Sequence, residues 1–196
     1  MIGFLKTGVN GLPPVRVDAT RVYLRPPKSR DWQAWARLRE QSREFLTPWE
    51  PSWPADALSR AAFVRRLRRH IAEWRGDEGY NFMIVDKADE AVLGGIGISN
   101  VRRGVAQTGS LGYWIGRLHA NRGYMTEAAH AAVTFGFSQL GLHRIEAACI
   151  PANVASVKLL ERVGFVQEGH AREFLRIDGR WQDHLLYAIL REDVDA

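Results

Sequence analysis

The sequence predicts one α+β domain with α/β/α layers, in which helices flank a mixed, mostly antiparallel central sheet. Three observations predict it. Stretches of strand and helix periodicity follow one another in the order β, α, α, βββ, α, β, α, ββ. A strand-like run, Leu111-Gly112-Tyr113-Trp114-Ile115, leads through a short polar loop containing Gly123 straight into a helical run. Near the end of the chain, Asp178-Gly179 stands between two β-rich runs, a strong hairpin signal.

Residues 1–19 are expected to be a flexible arm, because Gly8, Gly11 and two prolines break any regular element, and residues 20–196 are expected to be the domain. Residues 21–25 alternate charged and apolar side chains and read as a strand ended by Pro26-Pro27. Ser29 is placed to cap a helix over residues 30–43 that carries Trp32, Trp35 and Leu38. Residues 45–54 are rich in proline and aromatics and must be a loop. A second helix follows over residues 55–75, with Phe63, Leu67, Ile71 and Trp74 on one side and Arg65, Arg66, Arg68 and Arg69 on the wet side. Residues 80–85, 91–99 and 107–115 read as an antiparallel meander. A helix over residues 126–140 ends at Gly141, a strand covers residues 143–150, and a helix over residues 153–163 ends at Gly164. Lys158, Glu161 and Arg162 lie on the polar side of that last helix, and residues 174–177 and 181–190 form the final hairpin.

With 196 residues, 46% of them hydrophobic, the chain can bury a sizeable core of its own. Its apolar runs fall far short of the roughly 20 residues that span a bilayer, and residues 1–14 lack the apolar stretch of a signal peptide. A cytoplasmic location without membrane contact is the expectation. The single cysteine, Cys149, excludes an internal disulfide framework and a cysteine metal site, so no metal is expected and the thiol reads as a small buried side chain. The net charge of +5 leaves two readings of the arginine face, a solvated surface or a contact with ribosomal RNA or acidic protein. Monomer and homodimer both remain open.

The chemistry centres on Asn121, Arg122, Gly123, Tyr124, Met125 and Thr126. A helix start leaves unpaired N–H groups aimed at one spot with the positive end of the dipole behind them, Gly123 permits close approach, and Arg122 adds charge. That is a phosphate seat. Further on, Asn153 and Ser156 share one face at the first turn of a helix, where capping is the purely structural alternative.

The two blocks, Arg122-Gly123-Tyr124-Met125-Thr126-Glu127-Ala128 and Ile150-Pro151-Ala152-Asn153 through Gly164-Phe165, at this order and spacing resemble the Gcn5-related N-acetyltransferase (GNAT) superfamily. The likeness is greatest to its ribosomal-protein-alanine N-acetyltransferase branch of the RimJ/RimL type, carried by Phe45-Leu46-Thr47-Pro48-Trp49-Glu50-Pro51 and by the stretch from Phe174 to His184. The family's glycine pattern is met at Gly123, while Ala120 and Met125 stand at its outer places. The resemblance implies acetyl-CoA as co-substrate, held by the 121–126 loop, by backbone of Tyr113, Trp114 and Ile115, and by Asn153, Ser156 and Lys158. It also implies direct attack of an amine on the thioester. Where many members carry a tyrosine acid, seven residues after the asparagine, this chain has Leu160, which shifts that role to Ser156. Glu146 and Glu173 are candidate bases, with Glu50 and His170 behind them.

The acceptor implied is the α-amine of a protein N-terminus, which fits a site with only a weak base: its pKa of about 7.7–8.0 leaves roughly a tenth deprotonated at pH 7, against well under a thousandth for lysine near 10.4. Trp49, Glu50 and Trp53 would border the peptide, and a ribosomal protein beginning with Ala or Ser would be the partner. Two other readings stand beside it: acetylation of a small amine such as an antibiotic or polyamine, and a non-catalytic ribosome- or RNA-binding module with a vestigial cofactor site.

Overall fold

The computed structural model describes residue 12 and residues 14–195. Most of the expected 1–19 arm lies outside the described residues. Its last part does not form a loose tail: Val17–Asp18 (β1) pairs with Val22–Arg25 (β2) at one edge of an eight-stranded sheet.

The remaining strands are Tyr80–Asp86 (β3), Val92–Arg102 (β4), Thr108–Ile115 (β5), Arg144–Cys149 (β6), Val166–Ile177 (β7) and Arg180–Leu190 (β8). Their spatial order is β1-β2-β3-β4-β5-β6-β8-β7. Every adjacent pair is antiparallel except β5 with β6, which are parallel and joined by a helical crossover. This is the mixed, mostly antiparallel sheet expected.

Alternation along the strands sorts the core onto two faces. Tyr80, Phe82 and Ile84 of β3 join Ile96, Ile98 and Leu111 in the larger cluster, packed under Tyr124–Ser138 (α4) and Val154–Val163 (α5). Met83 and Val85 point the other way, to Trp35 and Phe63, beneath Trp32–Gln41 (α1) and Arg60–Arg75 (α3). Among the described residues no helix is long and apolar enough to cross a membrane.

Several boundaries differ from expectation for identifiable reasons. Ser29 does not cap the first helix: residues 29–31 form a 3-10 turn, and the buried Asp31 carboxylate accepts from the Lys28 N–H at 2.7 Å and from Arg25 at 2.7 and 2.8 Å. The helix breaks at Ser42, and Arg43–Leu46 (α2) continues separately. The arginine-rich helix starts at residue 60 rather than 55, because Ser59 accepts the Ala62 N–H at 3.1 Å. β7 begins at Val166, well before the expected 174, since register shifts at Gln167/Gly169 and Ala171/Leu175 scramble its alternation. Glu192–Asp195 (α6) closes the described chain.

Candidate active site

β5 and β6 are paired only at Thr108 with Arg144, Gly109 with Ile145 and Ser110 with Glu146. Beyond that point the strands part, and the backbone groups of residues 111–115 that face β6 lose their ladder partners. A parallel pair that separates at its C-terminal ends leaves a polar slot through the sheet.

The loop expected to seat a phosphate lies after the end of β5. Gly123 caps α4 in the left-handed region (φ +83°), which a β-branched side chain would strain, and Asn121 is also left-handed (φ +58°). The first α4 bond runs from the Glu127 N–H to the Gly123 carbonyl at 3.2 Å, so the N–H groups of Tyr124, Met125 and Thr126 have no acceptor within the helix. Asn121, Arg122 and Gly123 are all exposed.

Arg21 holds this loop, a role the sequence did not signal. Its Nη2 donates to the Arg122 carbonyl at 2.9 Å, its Nε and backbone N–H donate to Glu127 at 2.6 and 2.8 Å, and its guanidinium lies 4.5 Å from the centre of the Tyr124 ring. The ion pair also offsets the charge of the Glu127 carboxylate in the first turn of α4.

At the slot itself, Tyr113 Oη and Ser156 Oγ share a hydrogen bond at 2.5 Å. Burial pushes the Tyr113 phenol above its ordinary range, so it stays protonated; burial likewise raises the Cys149 thiol beside Ser156. Asn153 caps α5 by accepting the Ser156 N–H on Oδ1 at 3.1 Å, which leaves its two amide donors free for another acceptor. Capping and ligand contact are therefore compatible. Lys158 is exposed on α5, and Leu160 is buried in the core at 1% exposure, so no hydroxyl comes from that position.

The candidate bases sit in different surroundings. Glu146 lies where β5 and β6 part, but its carboxylate accepts from Arg144 at 3.1 Å and faces Arg102 at 3.4 Å. Glu173 is exposed in the β7 bulge with φ +47°, its N–H bound to Asp183 at 2.9 Å. His170 pairs with Asp183 at 3.2 Å, and Glu50 pairs with Arg39 and accepts from Trp53 Nε1 at 2.8 Å. The structure does not gather these groups into one cluster.

On the α1/α3 face lies a cleft of about 570 Å³. Glu50 and Trp53 line it together with Trp35, Arg39 and Trp114. Trp49 does not: the 3-10 turn at residues 47–49 leaves its ring 36% exposed, away from the cleft it was expected to border. Arg39 is enclosed by Trp53, Trp114 and Trp35 at 4.3, 4.8 and 5.6 Å. The arginine face also needs revision, because Arg65, Arg66 and Arg69 are exposed as expected but border this cleft rather than a convex surface.

A smaller inner cleft of about 200 Å³ adjoins it, sharing Trp35, Arg66 and Trp114 and reaching Gly112 and Tyr113 at the slot. Gly95, Gly97 and Gly112 form its floor. A Cβ on Gly95 would lie 2.5 Å from Trp114 Nε1, whereas one on Gly112 would meet nothing within 4 Å and would project into open cleft. His70 lines it as a neutral imidazole, pushed down to about 3 by burial, with Arg66 and Arg69 adding to the shift. The loop and hairpin singled out in the sequence touch at the outer end, where the Asp178 N–H donates to the Glu50 carbonyl at 2.9 Å.

A slot between parted parallel strands, with a helix start on one side and a cleft on the other, is an arrangement that fits a cofactor-dependent transferase. The profile of the acetyltransferase (GNAT) domain matches residues 21–166, and the chain belongs to that family. Among its relatives is the [ribosomal protein uS5]-alanine N-acetyltransferase of Escherichia coli K12, 33% identical over 184 residues that make up 94% of this chain and 95% of the relative. The RimJ protein of Mycobacterium smegmatis, solved in complex with CoA-disulfide, superposes with a TM-score of 0.89 at 33% identity, covering 93% of this chain and 90% of that one. The ribosomal-protein-S5-alanine acetyltransferase of Vibrio fischeri gives a TM-score of 0.84 at 31% identity, covering 91% and 98%. The chain is an N-acetyltransferase that uses acetyl-CoA, similar to the RimJ/RimL type. Among the described residues no group of His, Cys, Asp and Glu could hold a metal ion.

Proposed function

We propose that the protein acetylates the α-amine of a protein N-terminus, with a ribosomal protein beginning with Ala or Ser as acceptor. The observation that carries this reading is the character of the α1/α3 cleft: tryptophan-walled, arginine-rich and open at its inner end to Gly112 and Tyr113. A polyamine would bring several positive charges to a place already lined by Arg39, Arg65, Arg66 and Arg69. A chain terminus brings one, and the same positive field favours its neutral, nucleophilic form. The relatives named for ribosomal-protein alanine acetylation support the choice. A ribosome contact through Arg65, Arg66, Arg68 and Arg69 has less support, since Arg65 and Arg69 are already paired with Asp56 and Glu73.

Bound acetyl-CoA supplies a thioester carbonyl for attack and a thiolate as leaving group. The amide groups of Tyr124, Met125 and Thr126, with Arg122, would hold its pyrophosphate, and the free amide of Asn153 would bond the pantetheine arm. Backbone groups of β5 released at the slot would steady the carbonyl oxygen. Ser156 Oγ holds a proton at the slot for the thiolate, and the protonated Tyr113 phenol beside it can restore that proton. An α-amine that is about a tenth deprotonated at pH 7 needs no strong base, so a water relay to Glu146 or Glu173 is sufficient.

The test is competitive acetylation of three acceptors: an Ala-initiated peptide, the same peptide with a blocked N-terminus and an internal lysine, and a polyamine panel. The free-terminus peptide is expected to dominate. Preference for the blocked lysine peptide or for polyamines overturns the assignment.

A further inference from the structure

The outer and inner clefts share one cation that no protein carboxylate meets. Arg39 is paired with Glu50, Arg65 with Asp56 and Arg69 with Glu73. Arg66 lines both clefts, and among the described residues it has neither a salt bridge nor a side-chain hydrogen bond. Its one close partner is the Trp35 ring, 5.6 Å from the guanidinium carbon. Partial desolvation by the cleft walls lowers its pKa, and the neighbouring Arg39 and Arg69 lower it further against a smaller opposing effect of Glu50 and Glu73. Arg66 is exposed where the two clefts meet, so an anionic group of a ligand can reach its guanidinium without first displacing a protein carboxylate.

We propose that Arg66 binds a carboxylate carried by the acceptor close behind its reacting amine, so that the preferred substrate is a chain terminus with an acidic side chain in its first few residues. This inference rests on the α-amine reading above. The distances involved are short: Arg66 and Tyr113 border the same inner cleft of about 200 Å³, and an extended peptide advances ~3.3–3.6 Å per residue. The Trp35 ring lies 5.6 Å from the guanidinium carbon, and a planar fork suits a carboxylate in two-point contact better than an ammonium would. Arg66 would then be a specificity residue, selecting which termini are held with the amine at the slot.

The experiment measures kcat and KM for wild type, Arg66→Gln and Arg66→Lys on Ala-initiated peptides that carry Glu or Gln at the second, third or fourth position, with calorimetry of CoA binding in parallel. Wild type should favour a Glu peptide over its Gln counterpart by about tenfold in kcat/KM, mainly through KM, as expected for a charged hydrogen-bonded contact. Arg66→Gln should cost the Glu peptide about tenfold more than the Gln peptide, Arg66→Lys should recover part of the difference, and CoA affinity should hold in both. Equal wild-type kinetics on Glu and Gln peptides at every position, or equal losses on both in Arg66→Gln, overturns the inference and leaves the α-amine assignment standing. Acetylation of neither peptide at its terminus, with transfer to a lysine or small amine instead, removes that assignment and the inference with it.

Discussion

On the face covered by α4 and α5, the proposed cofactor seat is made of backbone: free N–H groups at a helix start, a left-handed Gly123 and the unpaired edge of β5. On the face covered by α1 and α3, the cleft is made of side chains, three tryptophans and four arginines brought together from separate segments. Under the proposed function, the difference follows from what each face would recognise. A pyrophosphate is the same in every turnover and is met by groups that every residue possesses. An acceptor must be told apart from its competitors, which takes rings, charges and shapes that only particular side chains supply.

That division can be broken at three places, beginning where the two faces meet. Ser156→Ala combined with Tyr113→Phe removes both hydroxyls at the slot and should lower kcat by about 10² or more while CoA affinity changes little, because the proton is needed only as the bond breaks. Burial keeps the Tyr113 phenol protonated beyond its usual value of about 10, so wild-type turnover should not decline on the alkaline side below that pH. Full turnover in the double variant would assign the proton to water or another donor.

On the cofactor face, Gly123→Val forces a β-branched residue to φ +83° and places its Cβ 3.0 Å from Arg21 Nη2. Strain of about 1–3 kcal/mol, if relieved by moving the amides off the ligand, corresponds to a loss of roughly 5- to 150-fold in CoA affinity by calorimetry, with native circular dichroism retained. Unchanged affinity would remove the loop from the site. On the other face, Gly112→Val adds a side chain where nothing stands within 4 Å. Acceptor KM should rise about tenfold with CoA affinity and thermal stability intact, since valine suits a strand better than glycine. If CoA binding weakened instead, the two faces would not be separable at that residue.

The same division decides what could be read from the chain. The 121–126 loop and the Asn153/Ser156 pair are contiguous or three apart, so their chemistry is visible locally. Arg21 serves the loop from the far end of the domain and leaves no local mark. Tyr113 was marked for its backbone, and its hydroxyl meets Ser156 only because β5 and β6 run parallel and then part. Helical spacing put Arg66 on the polar side of α3, but nothing in that spacing says that Trp35 and Trp114 stand opposite. Trp49 and Trp53 look equivalent in the sequence, and a single 3-10 turn separates their fates.

The Arg21 contact has a consequence for how the molecule comes into being. Arg21 and Glu127 are 106 residues apart in sequence, so the loop they secure cannot acquire its native rigidity from local interactions alone. Closing so long a stretch is entropically slow and depends on β1 to β5 being assembled first. Until residues 21 and 127 meet, local helix formation leaves the leading loop of α4 without its anchor. If the loop seats the nucleotide portion of acetyl-CoA, competence for it would depend on this distant arginine and not on the helix alone.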